Sequence, residues 1–260
     1  MQVKANGITF NVAVDGPEGA PWVVFSNSLA TNLSMWDAQA ELLAGAFRVL
    51  RYDQRGHGKT EVTPAPYDFD VLMADAIGLF DALSIDRAHF VGISMGGMTA
   101  IGLAERYPQR LRSIVPCDCS AGSTPASAQQ WQERIAVARE QGMGALVELT
   151  LGRWFPGGAL DADPALAAKV REMIRTTPVE GFAGCAGAIS NFDFKPGLSK
   201  IDRPVLVLVG SKDAMLAGSR EAQATIPGAK LVEIDEAGHL SNLDGAAAFN
   251  RALEDFLKSV

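Results

Sequence analysis

The sequence predicts an α/β fold in which one mainly parallel sheet carries helices on both faces. Three observations lead there. Short, continuous apolar runs recur along the chain, helical patterns separate most of them, and a stretch from about 120 to 195 holds helix-like segments but no clear strand. Continuous apolar runs mark strands covered on both faces, and alternation of strand with helix favours parallel pairing. With 260 residues, 48% of them hydrophobic and 20% charged, the chain can build one such domain around a large core and still carry an insertion.

The elements follow in order. Alternating residues around Val3 and over Ile8–Val14 read as antiparallel edge strands joined at Asn6-Gly7, a pair suited to a tight hairpin turn. Buried-type strands are then expected at Trp22–Phe25, Phe47–Tyr52, His89–Val91, Leu111–Val115, Val205–Val209 and Lys230–Ile234, which brings the sheet to eight strands. Phe69–Leu83 and Ala246–Leu257 carry helical periodicity, and a small-residue helix follows Gly96. In the insertion, segments at Trp131–Ala138, Ala145–Leu151 and Ala165–Ile174 read as helices separated by Gly and Pro. The expected organisation is a core formed by 1–119 and 196–260, with a helical cap, 120–195, inserted between the sixth and seventh strands as a lid.

Composition excludes several function classes. A net charge of −7 argues against nucleic acid or an anionic membrane surface as partner, and means that an anionic substrate needs a local basic group. The first residues carry no apolar signal-peptide core, and no apolar stretch approaches a membrane span. Cys117, Cys119 and Cys185 form neither a disulfide framework nor a zinc-ligand spacing, so a cytoplasmic location with no metal and no cofactor is expected. No motif specifies an assembly state.

The chemistry centres on Gly92-Ile93-Ser94-Met95-Gly96, placed between an apolar strand and a small-residue helix. That context makes Ser94 a candidate nucleophile on a sharp strand-to-helix turn, with a helix N-terminus behind it to receive negative charge. A side chain two positions either side would collide with the neighbouring strand or helix, hence the glycines. A serine nucleophile needs a base, and the chain has three histidines. His89 falls in a buried strand and reads as a core residue. His57, in Asp53-Gln54-Arg55-Gly56-His57-Gly58, reads as a brace for its loop, although it could line the site. His239 follows the last strand at its C-terminal edge, where open α/β sheets gather catalytic groups, and is the favoured base. Asp213, directly after the seventh strand, is favoured as the acid that orients it, with Asp118 after the sixth strand as its rival; Asp235 and Asp244 read as surface carboxylates. The oxyanion donors expected are the amides of Met95 and, in the loop Ser26-Asn27-Ser28-Leu29, of Leu29. Many hydrolases carry His-Gly where this loop has Asn27-Ser28.

Taken together, Ser26-Asn27-Ser28-Leu29 with Met35-Trp36, the Asp53–Gly58 turn, Gly92–Met98, Arg153-Trp154-Phe155, Gly184-Cys185-Ala186 and Gly238-His239-Leu240-Ser241-Asn242 resemble the 3-oxoadipate enol-lactonases of the α/β-hydrolase superfamily. The resemblance runs from about Asn6 to Leu257. It implies an α/β-hydrolase fold and hydrolysis of 3-oxoadipate enol-lactone, a small anionic lactone, to 3-oxoadipate in the β-ketoadipate route of aromatic degradation. The carboxylate of such a substrate makes Arg134 and Arg153 candidate binding residues, with Trp131 and Trp154 as apolar walls. The alternatives are a broad carboxylesterase or related small-molecule hydrolase with the same triad and, from another class, a non-catalytic ligand-binding protein on the hydrolase scaffold.

Overall fold

The computed structural model describes residues 1–158, 160–161 and 163–260. Its eight strands are β1 (Gln2–Ala5), β2 (Ile8–Asp15), β3 (Trp22–Ser26), β4 (Arg48–Tyr52), β5 (Ala88–Ile93), β6 (Leu111–Cys117), β7 (Leu206–Gly210) and β8 (Lys230–Ile234). They form one sheet in the order β1-β2-β4-β3-β5-β6-β7-β8. β1 and β2 pair antiparallel through a turn in which Asn6 and Gly7 both take positive φ, and β2 pairs antiparallel with β4. Every pairing from β3 to β8 is parallel, with Phe25 of β3 opposite Arg51 on one side and Val91 on the other.

The helices are α1 (Asp37–Leu43), α2 (Phe69–Ala82), α3 (Met95–Arg106), α4 (Pro125–Gln141), α5 (Val147–Trp154), α6 (Pro164–Thr176), α7 (Val179–Ser190), α8 (Leu216–Thr225), α9 (Ser241–Asp244) and α10 (Ala246–Leu257). Helices α4 to α7 occupy the stretch between β6 and β7. Local chemistry starts several of them. Asp68 caps α2 by accepting the Val71 amide, Asp163 does the same for α6 through Leu166, and Thr124 with Ser127 forms a capping box ahead of Pro125 in α4. That box explains why α4 begins well before the expected Trp131: the polar first turns are held by their cap rather than by an apolar face.

Four helices were not expected from pattern: α1, α7, α8 and α9. Helix α7 is the informative case, because glycines at 181, 184 and 187 depress its helical propensity. A Cβ on Gly181 would lie 1.9 Å from the Gly56 carbonyl oxygen, and one on Gly184 would lie 2.6 Å from the Tyr67 ring. Gly181 lets α7 press onto the 53–58 loop and Gly184 admits the Tyr67 ring, and these tertiary contacts override propensity.

The central strand β5 is buried along its whole length and delivers the chain to Ser94 at its C-terminal end. Trp36, fully buried, stacks on Phe25 of β3 with ring centroids 4.6 Å apart and pins the segment after the β3 loop to the sheet. The loops that follow β3, β5, β6, β7 and β8 therefore open on one edge of a rigid sheet.

Candidate active site

Ser94 stands between β5 and α3 with φ +54 and ψ −115, a left-handed conformation that a non-glycine residue keeps only when its surroundings enforce it. They do so through the Ser94 amide, which donates to the Cys117 carbonyl at 2.8 Å, and the Gly96 amide, which donates to the Asn27 carbonyl at 3.1 Å. A Cβ on Gly92 would sit 2.1 Å from the Gly96 carbonyl oxygen, and one on Gly96 would sit 2.2 Å from the Ser26 carbonyl oxygen. Both glycines are thus required by close approach of backbone to backbone.

The structure brings Ser94, His239 and Asp213 into one hydrogen-bonded line. His239 Nε2 lies 3.0 Å from Ser94 Oγ, and its Nδ1 lies 3.0 Å from each Asp213 carboxylate oxygen. The carboxylate accepts the Nδ1 proton, which leaves Nε2 with a lone pair directed at the serine hydroxyl. Asp213 is 6% and Ser94 7% exposed, so the line is shielded from water along most of its length.

Asp118, the rival acid, does not hydrogen-bond His239. It is fully buried and accepts the Gly210 amide at 2.8 Å and the Ser241 hydroxyl at 2.5 Å, which ties the loop carrying Asp213 to the loop carrying His239. Burial first, and then the Asp213 charge, push its carboxyl well above the ordinary range. Asp235 is exposed, as expected. Asp244 departs from expectation: it is partly buried, accepts the Gly238 amide at 2.8 Å, and burial raises its pKa. It braces the histidine loop from below.

The loop expected to supply an oxyanion donor follows β3. The Leu29 amide donates to no backbone carbonyl among the described residues, and Met95 opens α3, where a first-turn amide has no intrahelical partner. The loop is held by residues of the Asp53–Gly58 turn. Gln54 Nε2 donates to the Asn27 carbonyl at 2.6 Å, Asp53 Oδ1 accepts the Leu33 amide at 2.7 Å, and the Ala30 amide donates to His57 Nε2 at 3.0 Å. His57 is a brace, as its turn suggested. Its Nδ1 lies 3.1 Å from the Arg55 carbonyl, which fixes the tautomer, and burial lowers its pKa so that it stays neutral. His89 is a core residue whose Nδ1 meets Ser113 Oγ at 2.8 Å.

Ser94, Asp213 and His239 open into a cavity of about 320 Å³ that Leu29, Trp131, Arg134, Arg153 and Trp154 also line. Each residue proposed from sequence for substrate contact therefore reaches the same space. The Arg134 guanidinium stacks on Trp131, 4.9 Å from the ring centroid, and its Nη2 is buried with no hydrogen-bond partner among the described residues. Burial first, and then the charge of Arg153, push its pKa down from the usual arginine value. Two guanidinium groups beside one cavity, one of them with a buried donor unused, give this end of the cavity a positive charge able to attract an anion. Trp154 also shapes the base. Its carbonyl accepts the His239 amide at 2.8 Å, and its ring lies over the imidazole at 6.1 Å and 26°. Met98, Ile189, Phe192 and Met215 complete apolar walls that no sequence signal marked. No cluster of potential metal ligands occurs among the described residues.

A family model described as the α/β-hydrolase fold matches residues 21–246. Two 3-oxoadipate enol-lactonases of Acinetobacter baylyi are similar along their lengths. One is 36% identical over 98% of this chain and 96% of its own, and the other 34% identical over 100% and 97%. Among solved structures, the enol-lactonase from Burkholderia xenovorans LB400 superposes with a TM-score of 0.96 at 39% identity, covering 99% of this chain and 100% of that one.

Proposed function

Because the chain belongs to the α/β-hydrolase family, in the branch of the 3-oxoadipate enol-lactonases, we propose that it opens the ring of 3-oxoadipate enol-lactone to give 3-oxoadipate, through an acyl-enzyme on Ser94. The observation that carries this reading is the cavity that joins the Ser94–His239–Asp213 line to the Arg134–Arg153 pair, since it serves an ester carbonyl and a carboxylate at once. Residues 120–195 act as the cap that supplies the carboxylate end.

The mechanism follows from the geometry. His239 Nε2 takes the Ser94 proton as Oγ attacks the lactone carbonyl, and the Leu29 and Met95 amides receive the oxyanion, each such donor lowering the barrier by about 3 kcal/mol. Asp213 keeps the imidazole in its Nδ1–H form and stabilises the imidazolium. Collapse breaks the ring carbon–oxygen bond and sends the electron pair to the enolate oxygen, with the proton returned from His239. The resulting enol stays tethered as part of the acyl chain and tautomerises to the 3-oxo group, its hydroxyl proton lost and a proton gained at carbon. A water that His239 deprotonates then attacks the ester carbonyl and frees the new carboxylate. Because a stabilised enolate leaves easily, acylation is intrinsically the easier step, and deacylation is the one expected to limit turnover. No cofactor takes part, and neither nucleic acid nor a membrane is a partner. A cytoplasmic location is supported by three cysteines that are buried and unpaired, and no helix among the described residues is long and apolar enough to cross a membrane.

The test is a rate assay on freshly generated enol-lactone beside a neutral p-nitrophenyl ester. The lactone is expected to give much the higher kcat/KM, and Ser94→Ala to abolish both activities. Arg134→Ala and Arg153→Ala are expected to raise KM for the lactone about tenfold or more while sparing the neutral ester, as the loss of a charge-assisted contact to a carboxylate requires. A higher kcat/KM on the neutral ester would replace the lactonase reading with a general carboxylesterase.

A further inference from the structure

We propose that the hydroxyl of Ser28 is a third donor to the oxyanion and so a catalytic residue. The proposal rests on the reading above that the Leu29 and Met95 amides hold that oxygen.

Ser28 is fully buried, lines the cavity with Ser94, Leu29 and His239, and its Oγ has no hydrogen-bond partner among the described residues. Of the neighbouring side-chain groups only Asn27 Oδ1, an acceptor that cannot donate to an oxyanion, is also without a partner among the described residues; the others are committed elsewhere. Ser26 Oγ meets Tyr52 Oη at 2.9 Å, Asn27 Nδ2 donates to the Tyr52 carbonyl at 2.9 Å, and the Ser28 carbonyl accepts Thr31 Oγ1 at 2.8 Å. The Asn27 carbonyl accepts both Gln54 Nε2 and the Gly96 amide. The segment is thus fixed on both sides of Ser28, and the one hydroxyl it leaves uncommitted belongs to a residue that lines the cavity. An unpaired buried hydroxyl destabilises a fold, and alanine would occupy the position without that penalty. A polar group kept at such a disadvantage beside a nucleophile points to a partner that arrives with the substrate.

The covalent geometry selects the oxygen. Four bonds separate Ser28 Oγ from the Leu29 nitrogen, so a hydroxyl proton and an amide proton from these two residues can meet one atom. That atom is the carbonyl oxygen, which turns toward the Leu29 and Met95 amides as the tetrahedral intermediate forms. The ring oxygen that departs must face His239 Nε2 to be protonated, on the other side of the reacting carbon. In the step itself Ser94 Oγ bonds to the carbonyl carbon, the carbonyl π pair moves onto oxygen, and the serine proton passes to His239. The Ser28 proton is shared with the oxyanion but not transferred.

The experiment compares the full-length protein with Ser28→Ala by kinetics on the enol-lactone and on p-nitrophenyl acetate, by inhibition with phenylboronic acid, whose serine adduct carries a tetrahedral boronate oxygen, and by thermal unfolding. The expected result is a kcat about a hundredfold lower on both substrates with KM within twofold, a boronate inhibition constant weakened in proportion, and a Tm unchanged or higher. Unchanged kcat, a loss confined to the lactone, or a fall in Tm with boronate affinity retained would each overturn the proposal. The neutral ester and the boronate keep it separable from the choice of substrate: a wild-type protein that hydrolyses the ester and not the lactone refutes the lactonase reading and leaves the Ser28 comparison intact.

Discussion

His57 shows how far the catalytic apparatus extends beyond the atoms that touch substrate. Its Nε2 receives the amide of Ala30, the residue after Leu29, which sits at φ +59. The acceptor therefore fixes the plane of the peptide beside the proposed oxyanion donor. Replacing His57 with Leu strands a buried amide, which destabilises by about 1–3 kcal/mol, and lets the loop drift; an error of this kind at a reacting centre lowers rate more than binding. His57→Leu is expected to lower kcat about tenfold or more with little change in KM, and His57→Gln, which keeps a carbonyl acceptor, to recover part of it. Equal kcat values for the Leu variant and the wild type would remove His57 from the positioning network. The triad itself was legible because chemistry limits the choices to three histidines and to acids at strand ends. Asp244 was misread for a physical reason: nothing in its neighbours signals that the turn after Ile234 folds back until its carboxylate caps the Gly238 amide.

At the scale of elements, strands could be read from sequence more reliably than helices. A buried parallel strand is written in consecutive apolar residues, whereas α7 is written in residues that oppose helix formation until Gly56 and Tyr67 are present to pack against. The three glycines of α7 separate these effects. A Cβ at 181 meets the Gly56 backbone at 1.9 Å, while one at 187 meets nothing within 4 Å. Gly187→Ala is expected to stabilise the protein by up to about 1 kcal/mol through helical propensity and a less flexible unfolded chain. Gly181→Ala is expected to destabilise it by about 1–3 kcal/mol through overpacking against a backbone that cannot yield, and to disturb the oxyanion loop through the displaced Asp53–Gly58 turn. Urea unfolding of both variants checks the pair, and changes of the same sign would show that α7 does not fix that turn. The apolar cavity walls from α7 and the segment after it escaped sequence reading for the same reason, since Ile189 and Phe192 reach the site only through this packing.

At the scale of the whole molecule, acid stability depends on groups buried in neutral form. His89 is 2% exposed in β5, and burial first, then the charge of Arg112, push its pKa from 6.5 down to about 4. The sign follows from proton binding. Between pH 6.5 and about 4 the unfolded chain takes up a proton that the folded chain refuses, so this contribution is fully present above 6.5 and lost as pH falls toward 4. At 1.36 kcal/mol for each pH unit, the loss amounts to about 3 kcal/mol. His57, lowered in the same direction, adds to it. Asp118 opposes it, because a buried carboxyl with a raised pKa holds its proton more firmly in the fold than in the unfolded chain. The net slope of the wild type therefore mixes signs, and only a difference isolates His89. Unfolding free energies measured in urea from pH 7 to pH 4 are expected to fall by about 3 kcal/mol more for the wild type than for His89→Gln, which keeps a polar group near Ser113 but cannot take up a proton. Parallel profiles would show that His89 is protonated in the folded protein as readily as in the unfolded chain, and the acid sensitivity would then lie with other groups.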